Sequence, residues 1–336
     1  MTVIAEPCVS VAERQPLVSA VIPTRNRPEL VCRAVRSVLA QTYPKVEAVV
    51  VVDGADEVTL AALKDLNDQR VRIVALLSNV GGSEARNIGI RESRGEFVGL
   101  LDDDDEWLLE KLEKQVQVIK NLPSGHAVVT CKHIQRTPGK QDIVLPRRAP
   151  MAGEDISEYL FSSKGIDLPL YGPQTSTYIA SRDLFLRIHF KKGQPCHQDW
   201  DWFLRTMNTP DVAYEMVDEP LCVFHVAPSM SGITKGTNWK ASLQWIDSVE
   251  HLVSRDAFAS FVVHQVMYRC DDYTKRARTF RMLAARAGAR LSIAKRLCAL
   301  KWFIISPQRR TQVKGLLSAF VAHSYASTLE QGDSAP

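Results

Sequence analysis

Apolar runs and segments with helical spacing alternate along the first third of the chain. Leu17 to Ile22 is an apolar run ended by Pro23, which predicts a buried strand. Pro28 stands where a helix can begin, and Leu30, Ala34, Val35, Val38 and Leu39 then recur at helical spacing up to Gln41. Val46 to Val52 predicts a second buried strand that ends at Asp53-Gly54. A helix over roughly 57–66 and a third strand over Val71 to Leu76 follow. Gly81-Gly82 breaks the chain, and Ser83 is placed to cap a helix running to about Ser93. Phe97 to Leu101 is the fourth strand, and Leu108, Leu112, Val116 and Ile119 mark one face of the next helix.

Four strand–helix alternations predict an α/β fold, a mostly parallel central sheet flanked by helices. Ligands of such sheets bind at the carboxyl ends of the strands. Three polar clusters fall there: Thr24-Arg25-Asn26, Asp53 and the run from Asp102 to Asp105. The later chain is less regular. Ala127 to Lys132 reads as a strand, and residues 134–170, with Pro138, Pro146, Pro150 and Pro169, read as a long loop. Gln174 to Ala180 is extended, Ser181 caps a helix over Arg182 to Ile188, and Asp199 is placed to cap another over Trp200 to Met207. Leu221 to Phe224 is a strand ending at His225, and from Trp239 onward the pattern is helical and amphipathic. Trp200, Trp202, Trp239 and Trp245 fall in this later part, where indole rings serve as core or as faces for stacked sugars.

Composition narrows the classes. With 336 residues and 45% hydrophobic side chains, the chain has enough material for one large domain with an appendage. Its seven cysteines are odd in number and form no CxxC pair, which points away from a disulfide framework or a zinc site and toward reduced thiols in the cytoplasm. The first fifteen residues do not read as a signal peptide, and no run reaches the roughly 18 apolar residues of a membrane span. The net charge of +4 conceals an asymmetry: Tyr273 to Leu329 holds 12 Lys and Arg and no acid, so residues 1–272 are acidic with a net of −6. A cationic helical face in that stretch suits an anionic membrane surface as well as plain solvent.

Leu100-Leu101-Asp102-Asp103-Asp104-Asp105-Glu106-Trp107 is the chemical focus. Four adjacent carboxylates are unfavourable unless something cationic neutralises them, and oxygen ligands suit a divalent ion. The alternative is an acidic turn leading into the helix that begins near Leu108.

Five segments in order carry a resemblance. They are Val18 to Arg27, Ser37 to Pro44, Val50 to Gly54, Asn79 to Gly89 and Gly95 to Asp105. Residues 17–123 closely resemble the family 2 glycosyltransferases, inverting enzymes of GT-A type, Rossmann-like fold, and the likeness continues more thinly to about His225. The resemblance implies a nucleotide-sugar donor, a divalent metal (Mn²⁺ or Mg²⁺) and a saccharide or lipid-linked acceptor, with no nucleic acid partner. It places Asp102 and Asp104 on the metal, Asp103 on the ribose and Thr24 and Asp53 on the base, with Arg27 and Arg86 on the nucleotide side. Asp105 remains as support for helix entry. His225 resembles a late histidine that completes the metal shell. His197-Gln198-Asp199-Trp200-Asp201 matches the block carrying the catalytic base, with Gln198 in place of a glutamate. Asp199 is then the base, a plain helix cap is its other reading, and Asp201 is the runner-up. A single Asp stands before Gly54 where the family often has two.

The expected organisation is an extended or disordered N-terminus over 1–16 and a nucleotide-sugar-binding half over 17–125. An acceptor-binding half over 126–235 and a helical basic C-terminal extension over 236–336 follow. The setting implied is polysaccharide or glycolipid assembly in the cytoplasm, with the basic helices as a peripheral contact for the inner membrane face. A relative that binds nucleotide-sugar without turnover is one alternative. A sugar-nucleotidyltransferase is a weaker one, because Pro23-Thr24-Arg25-Asn26 lacks a Gly-rich phosphate loop.

Overall fold

A computed structural model describes residues 15–122, 126–162, 172–226 and 239–267. Most of the N-terminal arm, the segment 163–171, Pro228 to Ser231 and the basic stretch from Tyr273 lie outside the described residues. The chain divides into two compact units, one of residues 1–151 and 172–232, the other of 152–171 and 233–336.

In chain order the first unit opens with β1 (Val18–Thr24), α1 (Pro28–Leu39), β2 (Val46–Val52), α2 (Glu57–Lys64), β3 (Val71–Ala75), α3 (Gly82–Glu92) and β4 (Phe97–Leu100). Then come β5 (Glu106–Trp107), α4 (Lys111–Asn121), β6 (His126–Arg136) and β7 (Ile143–Leu145). After α5 (Ile156–Phe161), which belongs to the second unit, follow β8 (Ile179–Ser181), α6 (Arg182–Arg187), α7 (Gln198–Met207) and β9 (Val212–His225). The strands form one sheet in the order β3-β2-β1-β4-β8-β6-β9-β5, with β7 beside β6. The α/β class holds. Strands β3, β2, β1 and β4 are parallel, while β8 enters antiparallel to both β4 and β6, and β5 pairs antiparallel with β9.

Local chemistry explains the first half. Every residue of β2 is buried, as a strand covered on both faces requires. Pro23 lies inside β1 rather than ending it. The pairing of β1 with β4 stops at Val21, so the N–H that proline lacks is not missed on that side. Pro28 is in the first turn of α1, whose buried face is Val31, Cys32, Ala34, Val35 and Val38. Asp56 caps α2 by accepting from Thr59 N–H. α3 begins otherwise than expected: Gly81, at φ +85°, is its N-cap, and the Ser83 hydroxyl is buried without a hydrogen-bond partner. Gly89 lets α3 lie against the sheet, because a Cβ there would stand 2.5 Å from Val21 Cγ1.

The region expected to be one long loop carries the last residues of β6, then β7 and α5. β9 is 14 residues long rather than four, and pairs in parallel with β6 through a bulge at Cys131 to His133. In the second unit, Asp155 caps α5 and Ser254 caps α9 (Arg255–Phe261). Phe161 packs edge-on against Trp245 of α8 (Trp239–Ser248) and against Phe261. Among the described residues, no helix is long and apolar enough to cross a membrane.

Candidate functional site

β1, β2 and β4 end on the same edge of the parallel half, and their last residues deliver Thr24, Asp53 and the acidic run to it. The run is a turn: Asp105 N–H donates to the Asp102 carbonyl at 3.1 Å. Its carboxylates divide. Asp103 and Asp105 are 6% and 1% exposed, whereas the Asp102 and Asp104 side chains are 29% and 34% exposed.

The inward pair is satisfied by neighbours. Asp103 Oδ2 accepts from the Thr24 hydroxyl at 2.7 Å, and Oδ1 accepts from Arg27 Nη1 at 2.9 Å. Burial pushes the Asp103 carboxyl up to about 6, against the pull of Arg27 and of the Thr24 hydroxyl. Asp105 accepts from the Ser176 hydroxyl at 2.6 Å and from His225 N–H at 3.2 Å. Burial, then the charges of Asp102 and Asp104, raise it well above the usual carboxylate range. Asp105 therefore anchors the turn to the 3₁₀ turn at Thr175–Thr177 and to the end of β9. It does not support a helix entry: α4 starts at Lys111, after the short strand β5.

Arginines neutralise the outward pair. Arg86, on α3, donates from Nη2 to Asp102 Oδ1 at 2.6 Å. Arg27 Nη1 also reaches Asp104 Oδ2 at 3.2 Å. Arg33, on α1, donates to the Asp104 carbonyl and lies 3.4 Å from Glu106 Oε1. Burial and the neighbouring Asp102 charge raise the Asp104 carboxyl, and Arg27 pulls it back.

Asp53 is buried, and both its oxygens are engaged: Oδ1 accepts from Val80 N–H at 2.7 Å and Oδ2 from Gly81 N–H at 3.0 Å. It thus ties the end of β2 to the Gly81-Gly82 entry of α3.

Asp199 lies in the first turn of α7, but the N-cap is His197, in the left-handed region at φ 55°, with no side-chain cap. The reading of Asp199 as a helix cap is thereby corrected. Arg86 links this turn to the acidic run, donating from Nη1 to Gln198 Oε1 at 2.8 Å while Nη2 holds Asp102. Desolvation pushes the Asp199 carboxyl up to about 6, with Arg86 pulling down and Asp102 pushing up. Asp201 is different. It is fully buried, with Lys191 Nζ and Arg205 Nε each 2.8 Å from its oxygens, and it fastens α7 to the segment before it.

His225 Nε2 is 2.7 Å from Glu106 Oε1. The structure does not gather it with Asp102 and Asp104: among the described residues no three His, Cys, Asp or Glu side chains form a group able to hold an ion. Arg33 and Ser176 were not anticipated from the sequence. Arg33 was readable as the residue one turn beyond Pro28-Glu29 on α1, whereas Ser176 has no motif to mark it.

Residues 19–174 match the model of glycosyl transferase family 2. The chain is 28% identical over 248 residues to the amylovoran biosynthesis glycosyltransferase AmsB of Erwinia amylovora, covering 71% of this chain and 80% of that one. Its fold matches S. aureus TarS residues 1–349 in complex with UDP-GlcNAc at a TM-score of 0.59 and 14% identity, over 88% of this chain and 92% of that chain. Against a longer TarS chain the match spans 55% of that chain. It also matches the mannosyltransferase PcManGT of Pyrobaculum calidifontis, in complex with GDP-Man and Mn²⁺, at a TM-score of 0.50 and 16% identity, over 94% of this chain and 81% of that chain.

Proposed function

We propose that the chain, whose residues 19–174 match the model of glycosyl transferase family 2, acts as a glycosyltransferase of that family and transfers a sugar from a UDP-sugar to a saccharide or lipid-linked acceptor, with inversion at the anomeric carbon. The observation that carries this reading is the Arg86 bridge. One guanidinium spans from Asp102 to Gln198, and so holds the first turn of α7, with Asp199, beside the acidic run.

Asp199 acts as the general base. Its carboxylate takes the proton of the acceptor hydroxyl while that oxygen bonds to the anomeric carbon. The bond from this carbon to the diphosphate oxygen breaks, and the nucleoside diphosphate leaves on the opposite side. A carboxyl raised to about 6 is both ionised near neutral pH and a stronger base than an ordinary aspartate. The two cationic partners of Asp201 favour Asp199 over it for this part.

Asp102 and Asp104 would hold a divalent cation. Two partly exposed carboxylates fit an ion held by one or two carboxylates plus substrate phosphates, the usual arrangement for Mg²⁺. They do not make an all-protein cage, and His225, engaged by Glu106, is left out of the set. When bound, the ion stabilises charge on the departing diphosphate. Thr24, Asp53 and Asp103 face the nucleoside: the Asp53 carboxylate orients the Val80-Gly81 backbone, and Thr24 fixes Asp103. Arg27 and Arg86 contribute positive charge to the diphosphate side. The AmsB likeness supports a polysaccharide setting, and the TarS and PcManGT complexes support the donor class and the metal.

The test is transfer from a panel of UDP-sugars to saccharide and lipid-pyrophosphate acceptors with Mn²⁺, Mg²⁺ or chelator. Metal-dependent transfer with product of inverted configuration is expected. UDP-sugar binding without turnover on any acceptor would instead favour a binding-only relative.

A further inference from the structure

Both carboxylates assigned to the metal already carry a guanidinium, and the two contacts are unlike. Arg86 holds Asp102 at 2.6 Å, is anchored elsewhere by Gln198, and lies over the Phe190 ring. Arg27 is anchored at 2.9 Å by Asp103, a buried carboxylate that Thr24 fixes in place. Its contact with Asp104 is the longer, 3.2 Å, and Asp104 is the more exposed carboxylate of the run. Arginine cannot shed its charge, so a divalent cation approaching Asp104 meets a fixed positive neighbour. It competes with that neighbour for the carboxylate. Displaced alone, Arg27 gives up that ion pair for water. Displaced in the presence of a diphosphate, it exchanges a carboxylate oxygen for a phosphate oxygen, which guanidinium binds equally well.

Building on the donor and metal reading above, we propose that Arg27 is a resident counter-ion of Asp104 that is exchanged for the divalent cation when the nucleoside diphosphate arrives, so that cation and nucleotide bind as a coupled pair. Asp103 is the pivot: it keeps the guanidinium at the site while the other contact changes partner. By linkage the coupling is reciprocal, with nucleotide raising cation affinity by the same factor as cation raises nucleotide affinity. The device keeps the acidic turn neutralised before donor binds and disfavours loading of cation alone.

The experiment measures Mn²⁺ binding to the full chain from the free-ion electron paramagnetic resonance signal, with and without UDP, and UDP binding by calorimetry, with and without Mn²⁺. In the wild type, UDP should tighten Mn²⁺ binding by about 30-fold or more, within the usual upper range of coupling. Arg27→Gln keeps a hydrogen-bond donor and removes the charge. It should bind Mn²⁺ alone at least about five-fold more tightly than wild type, bind UDP alone more weakly, and lose most of the coupling factor. Arg27→Lys, which keeps the charge, should retain more of the coupling. A variant that is merely damaged loses affinity for the ion, so the expected gain separates exchange from misfolding. Mn²⁺ affinity in the wild type that is indifferent to UDP would overturn the exchange without needing any variant. So would coupling unchanged in Arg27→Gln, even where Asp104→Ala abolishes Mn²⁺ binding and so upholds the metal reading. Absence of Mn²⁺ binding with or without UDP would overturn the metal reading and the exchange together.

Discussion

The spacing Asp-x-Asp opens two regions of this chain, at Asp102 and Asp104 and again at Asp199 and Asp201, and the two regions use it in opposite ways. In the turn after β4 the two residues are partly exposed, with Asp103 between them and Asp105 after them buried. In α7, residues two apart point about 200° away from each other. One carboxylate faces the acidic run and the other is buried between Lys191 and Arg205. The same three-letter pattern therefore yields two partly exposed carboxylates, the proposed ligands, in one backbone and two differently compensated carboxylates in the other. What decides the role of each aspartate is its compensation. Asp201 and Asp103 are held by fixed donors, while Asp199 is desolvated with weaker help.

The largest way to break this comparison is at Asp199. Asp199→Asn is isosteric and removes the base, so transfer should fall by about 10²–10⁴-fold, the usual weight of a positioned general base. UDP affinity, read by calorimetry, should stay within about two-fold of the wild type, since differential loss in the chemical step is the signature of a base. Loss of both together would mean that the residue binds donor instead. The next largest effect is at Asp104. Asp104→Asn should lower metal-dependent turnover by about 10²–10³-fold, comparable with removing one preorganised electrostatic contact from a transition state. Excess Mn²⁺ should recover part of that loss if the remaining Asp102 still ligates.

Asp201→Asn is the counterpart, and its expected effect is on stability. Removing the buried carboxylate leaves two cations without it. Breaking a buried pair costs about 3–5 kcal/mol, but Lys191 is 45% exposed, so a loss of about 2 kcal/mol is expected. Chemical denaturation would read it, and transfer by the folded fraction should survive. A variant as stable as the wild type but inactive would swap the roles of the two aspartates. Smaller again is Gly89→Ala. The added methyl must push into Val21 and Val51, at 2.5 and 3.1 Å from the new Cβ, for a loss of about 1–2 kcal/mol. Because α3 carries Arg86, that variant should also weaken the bridge to α7 slightly, visible as a modest fall in turnover.

These contrasts also show what was legible beforehand. The parallel half was readable because β1, β2 and β4 are short apolar runs buried on both faces, with β3 a partly buried edge run, all punctuated by Pro, Gly and Asp. Their ends fall on one edge by topology, so Thr24, Asp53 and the acidic run could be placed together from the chain alone. β9 was missed over Val212 to Pro220 because its burial is irregular and Asp218, Glu219 and Pro220 interrupt the apolar pattern at the bulge opposite β6. The inward turn of Asp103 and Asp105 was equally hidden. It depends on the hydroxyls of Thr24 and Ser176, 79 and 71 residues away in sequence, and no local pattern encodes such a partner. The start of α7 lies two residues earlier than the pattern predicts, enough to turn Asp199 from a cap into a first-turn residue facing the run.

A pH dependence sharpens the comparison most directly, because it sets stability against activity in one residue. Asp199 is raised to about 6 in the folded protein, whereas an unfolded aspartate titrates near 3.9. At this residue the folded state thus binds more protons between these values, and the contribution of Asp199 to stability falls as pH rises from about 4 to about 6, then levels off. Asp103, also raised to about 6, adds a decline of the same sign, but it is present in the wild type and in Asp199→Asn alike and cancels from their difference. Asparagine has no proton to lose. The stability of Asp199→Asn relative to wild type should therefore climb across this window, leaving the variant the more stable protein at pH 7.5. Denaturant titrations at pH 5 and pH 7.5 read that change, and a gap independent of pH would contradict the raised carboxyl. The same ionisation should make kcat/KM of the wild type rise through a pH of about 6, since only the carboxylate can accept the acceptor's proton. Asp199 would then cost the fold most at the pH where it serves the reaction best, whereas Asp201, on the opposite face of the same helix, is expected to stabilise the fold through Lys191 and Arg205.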